Sequence, residues 1–375
     1  MIIRTDVFQD TCNKILSAVD TSVLSPITET MEICVEDGIM YTRVTNMEYY
    51  VEVRTPVEVE SNFKVAISAN KFLKLISQVT TEVITLSIKD TFLEVKANGT
   101  YKFPLVFEGS NMLELPRLNV GVVSTEVDMT KAMLNSIATY NAKELSRSKG
   151  NVQNMAQRMF YIDEKGCITH SATGACINFF DLSSPVKILV PQKVVKLFKL
   201  FGDDVIKMTV GHENITDEIT QVRISFEGES VTIVASLPFE ERLVDEVPAE
   251  VLRRKSTVDY PYQATFEKND IISSINRLLV VSNNVATFGS LGELVFSPTE
   301  LTIRDIKRDN DDKVLYINDA QVTGEYSAIL DLEDLKITIE ACNEQYVTLF
   351  FGDSKAIVIS RGNVKNLLPE SHIIE

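Results

Sequence analysis

Val186–Phe201 reads VKILVPQKVVKLFKLF, a short β-like apolar run followed by apolar residues at helical spacing. Two other stretches have the same form: Lys64–Val79 (KVAISANKFLKLISQV) and Tyr326–Cys342 (YSAILDLEDLKITIEAC). Each is preceded, earlier in the chain, by a further apolar-periodic stretch: Phe8–Val19 (FQDTCNKILSAV), Asp128–Tyr140 (DMTKAMLNSIATY) and Asn269–Val281 (NDIISSINRLLVV). The cognate stretches recur at intervals of about 120 and about 140 residues, far longer than a solenoid unit. The chain therefore reads as three tandem α+β domains of one design, predicted at 1–122, 123–253 and 254–375.

Alternating runs at Met31–Val35, Tyr49–Val59 and Val83–Lys96 read as half-buried strands of the first domain. Asp37-Gly38, Lys89-Asp90 and Asn98-Gly99 fall between such runs as hairpin turns. Glu164-Lys165-Gly166 and Glu227-Gly228-Glu229 do the same in the second domain, and Arg308–Lys313 is a loop in the third. Linkers are expected near the end of Glu108–Val120 and in Phe239–Lys255, where Pro248 stands in a charge-rich stretch. A last strand pair is expected around Val347–Ile359, with a tail from Lys365.

The 375 residues, 45% of them hydrophobic, suffice for three cored domains. A net charge of −16 argues against a protein held to nucleic acid by its overall field, so any DNA contact must be a local basic surface. Five cysteines without a C-x-x-C pair read as free thiols of a reducing compartment. MIIRTDVFQDT lacks a signal-peptide core, and no apolar run approaches membrane-spanning length, so a soluble, cytoplasmic protein is expected.

Basic residues concentrate on the helical stretches. Lys193, Lys196 and Lys199 share one broad face, with Val194, Leu197, Phe198 and Phe201 largely opposite. Lys71 and Lys74 stand on the corresponding stretch of the first domain, and Lys14, Lys131, Lys143, Arg147, Lys149 and Arg277 lie on or beside the other helices. Solvation of an amphipathic helix explains any one of these stripes; recurrence in two domains favours a common surface. The third domain dissents, because Asp331, Glu333, Asp334 and Glu340 make its second helix acidic.

Catalytic signals are weak. His170, His212 and His372 show no zinc-binding spacing. Ser68-Ala69-Asn70-Lys71 matches S-x-x-K without its partner motifs, and Ser68 is better read as a helix cap. The acidic loop at Asp309, Asp311 and Asp312 lacks the glycine of a calcium loop. No nucleophile, base and orienting group assemble, so an enzyme is not expected, although a site invisible to motifs stays as a rival reading.

The three-domain layout, together with Leu24-Ser25-Pro26-Ile27, Val44-Thr45-Asn46-Met47-Glu48 and Ala172-Thr173-Gly174-Ala175-Cys176-Ile177, resembles the bacterial-type sliding clamp, the β subunit of DNA polymerase III. That resemblance implies a head-to-tail homodimeric ring with helices lining the hole and antiparallel sheets outside. It would be a processivity factor without cofactor or metal, encircling double-stranded DNA, loaded by an ATP-dependent clamp loader and tethering a DNA polymerase. It places the dimer interface at Phe103, Leu105, Ile271 and Ile272, and a partner-peptide pocket at Ala156, Gly174, Ile177, Pro248, Leu252 and Val358. Ile271 and its companions could equally be plain core.

Departures gather in that pocket. Where family members end in Met-Pro-Met-Arg-Leu, the aligned stretch is Ser360-Arg361-Gly362-Asn363-Val364, and Ala175 and Cys176 replace a His and an Arg. The usual partner peptides are therefore not expected to bind in the usual way. A phage or mobile-element source would account for this. The runner-up function is a clamp-fold interaction scaffold that no longer encircles DNA and uses its acidic third domain to bind a protein.

Overall fold

The computed structural model describes residues 1–19, 25–58, 62–147, 155–171, 173–214, 220–237, 242–282, 290–317, 321–352 and 355–371. Within them one unit, a strand, a helix and three further strands, is repeated six times. In the first third of the chain it is β1 (Ile2–Arg4), α1 (Thr5–Leu16), β2 (Thr30–Glu36), β3 (Ile39–Thr45) and β4 (Tyr49–Pro56). It then recurs as β5 (Phe63–Ser68), α2 (Ala69–Ile76), β6 (Val83–Lys89), β7 (Phe92–Lys96) and β8 (Thr100–Pro104). A two-residue hairpin, β9 (Phe107–Glu108) with β10 (Asn111–Met112), follows.

The middle third begins with β11 (Val122–Thr130), then α3 (Lys131–Ser136), a π-turn at Ile137–Asn141 and α4 (Ala142–Arg147). Strands β12 (Met159–Asp163), β13 (Gly166–His170) and β14 (Ala175–Phe179) complete that unit. The next comprises β15 (Lys187–Pro191), α5 (Gln192–Lys196) running into a 3-10 turn at Leu197–Leu200, β16 (Val205–Asn214), β17 (Thr220–Glu227) and β18 (Val231–Leu237). Helices α6 (Arg242–Asp245) and α7 (Ala249–Thr257) occupy the connection.

The last third holds β19 (Tyr262–Glu267), α8 (Lys268–Ser282), β20 (Leu291–Phe296), β21 (Glu300–Asp305) and β22 (Asp311–Leu315). It closes with β23 (Tyr326–Asp331), α9 (Leu332–Glu340), β24 (Tyr346–Phe351), β25 (Ala356–Arg361) and β26 (Val364–Pro369).

Pairing obeys one rule in all three thirds. The first strand of each third joins the last three, giving β1-β6-β7-β8, β11-β16-β17-β18 and β19-β24-β25-β26. The fifth joins the second to fourth, giving β5-β2-β3-β4, β15-β12-β13-β14 and β23-β20-β21-β22. Two further antiparallel pairings, β18 with β4 and β14 with β26, weld four of these sheets into two of eight strands. By density of contact the chain divides into two compact units, residues 1–134 with 196–239 and residues 135–195 with 240–375. Each contains one eight-stranded and one four-stranded sheet.

Local chemistry explains the elements. On α1, Phe8, Thr11, Cys12 and Ile15 are buried at helical spacing, and on α2 Ala69, Phe72, Leu73 and Ile76 are. Asp37 and Gly38 both take positive φ, 51° and 76°, as a two-residue hairpin turn demands. Gly166, at φ 137°, opens β13, where a Cβ would lie 2.0 Å from the Asn178 carbonyl oxygen. The core of the last third sets Ile271, Ile275 and Leu278 of α8 and Leu335 and Ile339 of α9 against sheet residues including Phe296 and Phe351. Those two rings stack at 3.8 Å. Burying each such side chain contributes on the order of 1.5–3 kcal/mol.

Four expectations need correction. Asp128–Thr130 ends strand β11 and does not open a helix. The second linker contains α7, whose Arg253 is buried. Ser68 sits at the N-cap of α2 without a side-chain cap bond, whereas Asp331 does cap α9, accepting from the Asp334 N–H at 3.0 Å. The stretch from Lys365, expected as a tail, belongs to the sheet strand β26, in which Leu367 and Leu368 are buried.

Candidate nucleic-acid and peptide interfaces

The lysine faces emerge as read. Lys71 and Lys74 are exposed on α2. Lys193, Lys196 and Lys199 are exposed on α5 and its 3-10 turn, while Val194, Leu197, Phe198 and Phe201 are buried. Lys143 is exposed on α4. Lys14 pairs with Asp10 at 2.8 Å, and the Lys131 ammonium donates to the Gly202 carbonyl at 3.1 Å. Arg277 is committed to Asp312, whose carboxyl it holds below the usual range. The side chain of Arg147 and the whole of Lys149 lie outside the described residues. On α9 the exposed positions are Glu333 and Glu340, and Lys336 pairs with Glu340 at 3.8 Å.

The residues expected at a chain-chain interface divide. Phe103, on edge strand β8, is half-buried edge-to-face against Phe72 at 5.2 Å. Leu105 is buried beside Ile67. Ile272 is half-buried, and Ile271 is wholly buried in the core, the plainer reading the sequence left open. The sequence missed the open strand edges themselves. On β8 stands Tyr101 and just beyond it Phe107, 36% and 42% exposed; Leu315 ends β22 and Ile317 follows it, 70% and 42% exposed.

Of the residues expected in a partner pocket, Ile177 and Val358 lie on one face of the eight-stranded sheet of the second unit. Register sets Ala175, Leu367 and Val358 in one row across β14, β26 and β25, and Ile177, Lys365 and Ser360 in the next. Their neighbours Cys176, Asn366 and Ile359 point to the opposite face. That opposite face carries the helices: Asn178 reaches the Ser136 hydroxyl at 2.8 Å, and Ile359 enters the core with α8 and α9.

Helix α7 covers the first face. Arg253 holds Asp163 bidentately at 2.7 and 2.5 Å, both buried. Pro248 is exposed at its N-cap and Leu252 half-buried along it; Ala156 and Gly174 are buried nearby in the chain's turns. Sequence reasoning missed Lys365, Ser360 and His170 here.

Among the described residues no cluster of three His, Cys, Asp or Glu could hold a metal, and no helix is long and apolar enough to cross a membrane.

Three repeats of paired strand-helix-strand units, with helices on one face of the sheets, define the three-domain clamp fold. Residues 1–119 match the family described as DNA polymerase III beta subunit, N-terminal domain, a non-catalytic family. The whole chain has the fold of its solved members: the DNA polymerase III beta subunit of Thermotoga maritima (TM-score 0.75, 10% identity, 100% of this chain and 99% of that one), the sliding clamp of Pseudomonas aeruginosa (0.77, 12%, 100% and 99%) and the beta subunit of Streptococcus pyogenes (0.79, 13%, 99% and 99%). The chain thus shares the clamp fold of these structures at 10–13% sequence identity. No curated protein matches it by sequence.

Proposed function

We propose that two copies, each with domains at 1–122, 123–253 and 254–375, close head to tail into a ring that encircles duplex DNA. The ring serves as a cytoplasmic processivity factor, loaded by an ATP-dependent loader and tethering a DNA polymerase and other partners. The observation that carries this is the series of sheet joints. The eighth strand of the middle third joins the fourth of the first, β18 to β4, and the eighth of the last joins the fourth of the middle, β26 to β14. The remaining members of that series, β8 and β22, are open edges within one chain. A long unpaired edge with exposed apolar residues is a liability unless another chain covers it, and a repeated heterologous joint closes into a ring.

Composition suits threading. A ring keeps DNA by topology, so its phosphate contacts can be few and weak, and an acidic exterior discourages binding from outside. The acidic α9 favours, as a second reading, a scaffold that binds protein there.

Loading on nicked circular DNA separates the two. A clamp stays until the circle is linearised and then runs off; a scaffold is not retained. Solution mass is expected to be that of a dimer, and Leu315→Lys to shift it toward monomer at least 10-fold in dissociation constant. Retention that is equal on circle and linear duplex sinks the clamp reading.

A further inference from the structure

We propose that the outer face of the sheet β1-β6-β7-β8 binds an extended acidic peptide of a partner protein. An aliphatic side chain seats at Ile2 and Val83, and carboxylates at alternate positions meet Lys96, Lys102 and Lys89. This surface belongs to the first third of the chain alone and does not depend on ring closure.

Register makes the face. Leu93 and Val95 are buried and Phe103 packs on Phe72 of α2, so the alternate residues of β6, β7 and β8 face away from the helices. Lys96, Lys102 and Lys89 are among these, exposed in three successive rows opposite Thr85, Glu94 and Phe92. Ile2 lies in the row of Lys96 and Val83 one row before it. These two side chains, 62% and 48% exposed, also wall a cavity of about 380 Å³ whose lining includes Val7, Pro56 and Val57.

Other sheets of the chain neutralise their bases. In the eight-stranded sheet of the same unit Glu32 and Glu52 hold Arg43, and Glu213 holds Arg223. In the four-stranded sheet of the last third Arg304 and Arg308 meet Glu293, and Lys313 meets Glu300. Here, among the described residues, Lys89 and Lys102 have no carboxylate partner, and Lys96 shares Glu94 of its own strand at 3.4 Å. Asp6, at the β1 end, is taken by Arg4. Lysines without counter-ions in a chain of net charge −16 form a local positive surface whose complement is acidic.

Successive rows lie about 7 Å apart, which is also the repeat of alternate residues in an extended peptide. An aliphatic residue on the Val83 row therefore brings the next three alternate residues over the rows of Lys96, Lys102 and Lys89. Each exposed ion pair contributes little alone, so selectivity comes from the three rows and the anchor together. Nucleic acid carries the same charge but fits less well. Phe92 is the one aromatic ring among the described residues of this face, and the Lys102 ammonium covers it at 4.7 Å, leaving no ring for a base to stack on.

The probes are fluorescein-labelled Gly-Gly-Leu-Ser-Asp-Ser-Asp-Ser-Asp, its counterpart with Asn for each Asp, and a short labelled oligothymidylate, titrated with the full chain at low salt and read by anisotropy. The Asp peptide is expected to bind at least about 10-fold tighter than either of the others. Lys89→Gln, Lys96→Gln and Lys102→Gln together should erase that preference. The same change at Lys193, Lys196 and Lys199 removes equal charge from another face and should leave the Asp peptide within about 3-fold. Ile2→Ser should weaken both peptides. Every substituted side chain is exposed, so the Tm of each variant should stay that of the parent chain. Equal affinity for the two peptides, binding of neither, or a preference that survives the first triple variant or is lost equally in the second overturns the proposal. So does unchanged binding by Ile2→Ser, or an oligothymidylate that binds more tightly than the Asp peptide.

Discussion

His170 is a buried group from which a loss of stability in acid is expected. Its imidazole closes β13, buried, with Nε2 lacking a partner among the described residues, and burial holds its pKa below the ordinary value. The unfolded chain takes up a proton near the usual histidine pKa of about 6.5, before the folded one does. The stability this residue contributes is therefore complete above about pH 6.5 and declines as pH falls toward the lowered folded pKa, by at most about 1.4 kcal/mol per pH unit. His170→Leu is expected to reduce the loss of Tm between pH 7.5 and 5.5; an unchanged pH profile would show that carboxylates alone set the acid limit. Sequence placed no role on this histidine, because only the sheet register buries it.

The elements were legible where their pattern is local. Helices α1, α2, α8 and α9 announce themselves by apolar spacing, and Asp37-Gly38 by turn chemistry. The first helix of the middle third was legible in Asp128–Tyr140, but its break was not: at a π-turn Asn141 is drawn into the sheet, its side-chain amide donating to the Cys176 carbonyl at 3.1 Å. Helix α7 read as a linker because what holds it is remote: Arg253 meets an aspartate 90 positions earlier. Arg253→Ala leaves Asp163 buried without its counter-ion, and a loss of about 3–5 kcal/mol is expected in urea unfolding. A loss under about 1 kcal/mol would mean that α7 packs by its apolar contacts alone.

Over the entire chain, the proposed encirclement of DNA requires local basic surfaces within an acidic sequence. With 53 acidic and 37 basic residues, the exposed faces of α2, α5 and its 3-10 turn are lysine-bearing, whereas α9 exposes glutamates. Replacing Lys193, Lys196 and Lys199 together by Glu is expected to weaken loading on circular DNA at least 10-fold and to lower the salt dependence of its DNA contacts. Stability should change by less than about 1.5 kcal/mol, because all three are exposed and surface changes are usually within ±0.5 kcal/mol each. Unfolding of the triple variant would refute the assignment of that face.

The amphipathic helices, most hairpin turns and the spacing of the lysine stripes were readable from the chain because each depends on neighbours a few residues apart, and the threefold plan because those local patterns recur. Which strand pairs with which, that β26 is a strand, that Ile271 is core and that Lys89, Lys96 and Lys102 share one face were decided only by folding. Those facts depend on register between segments far apart in sequence, where a shift of one residue turns every side chain to the other face.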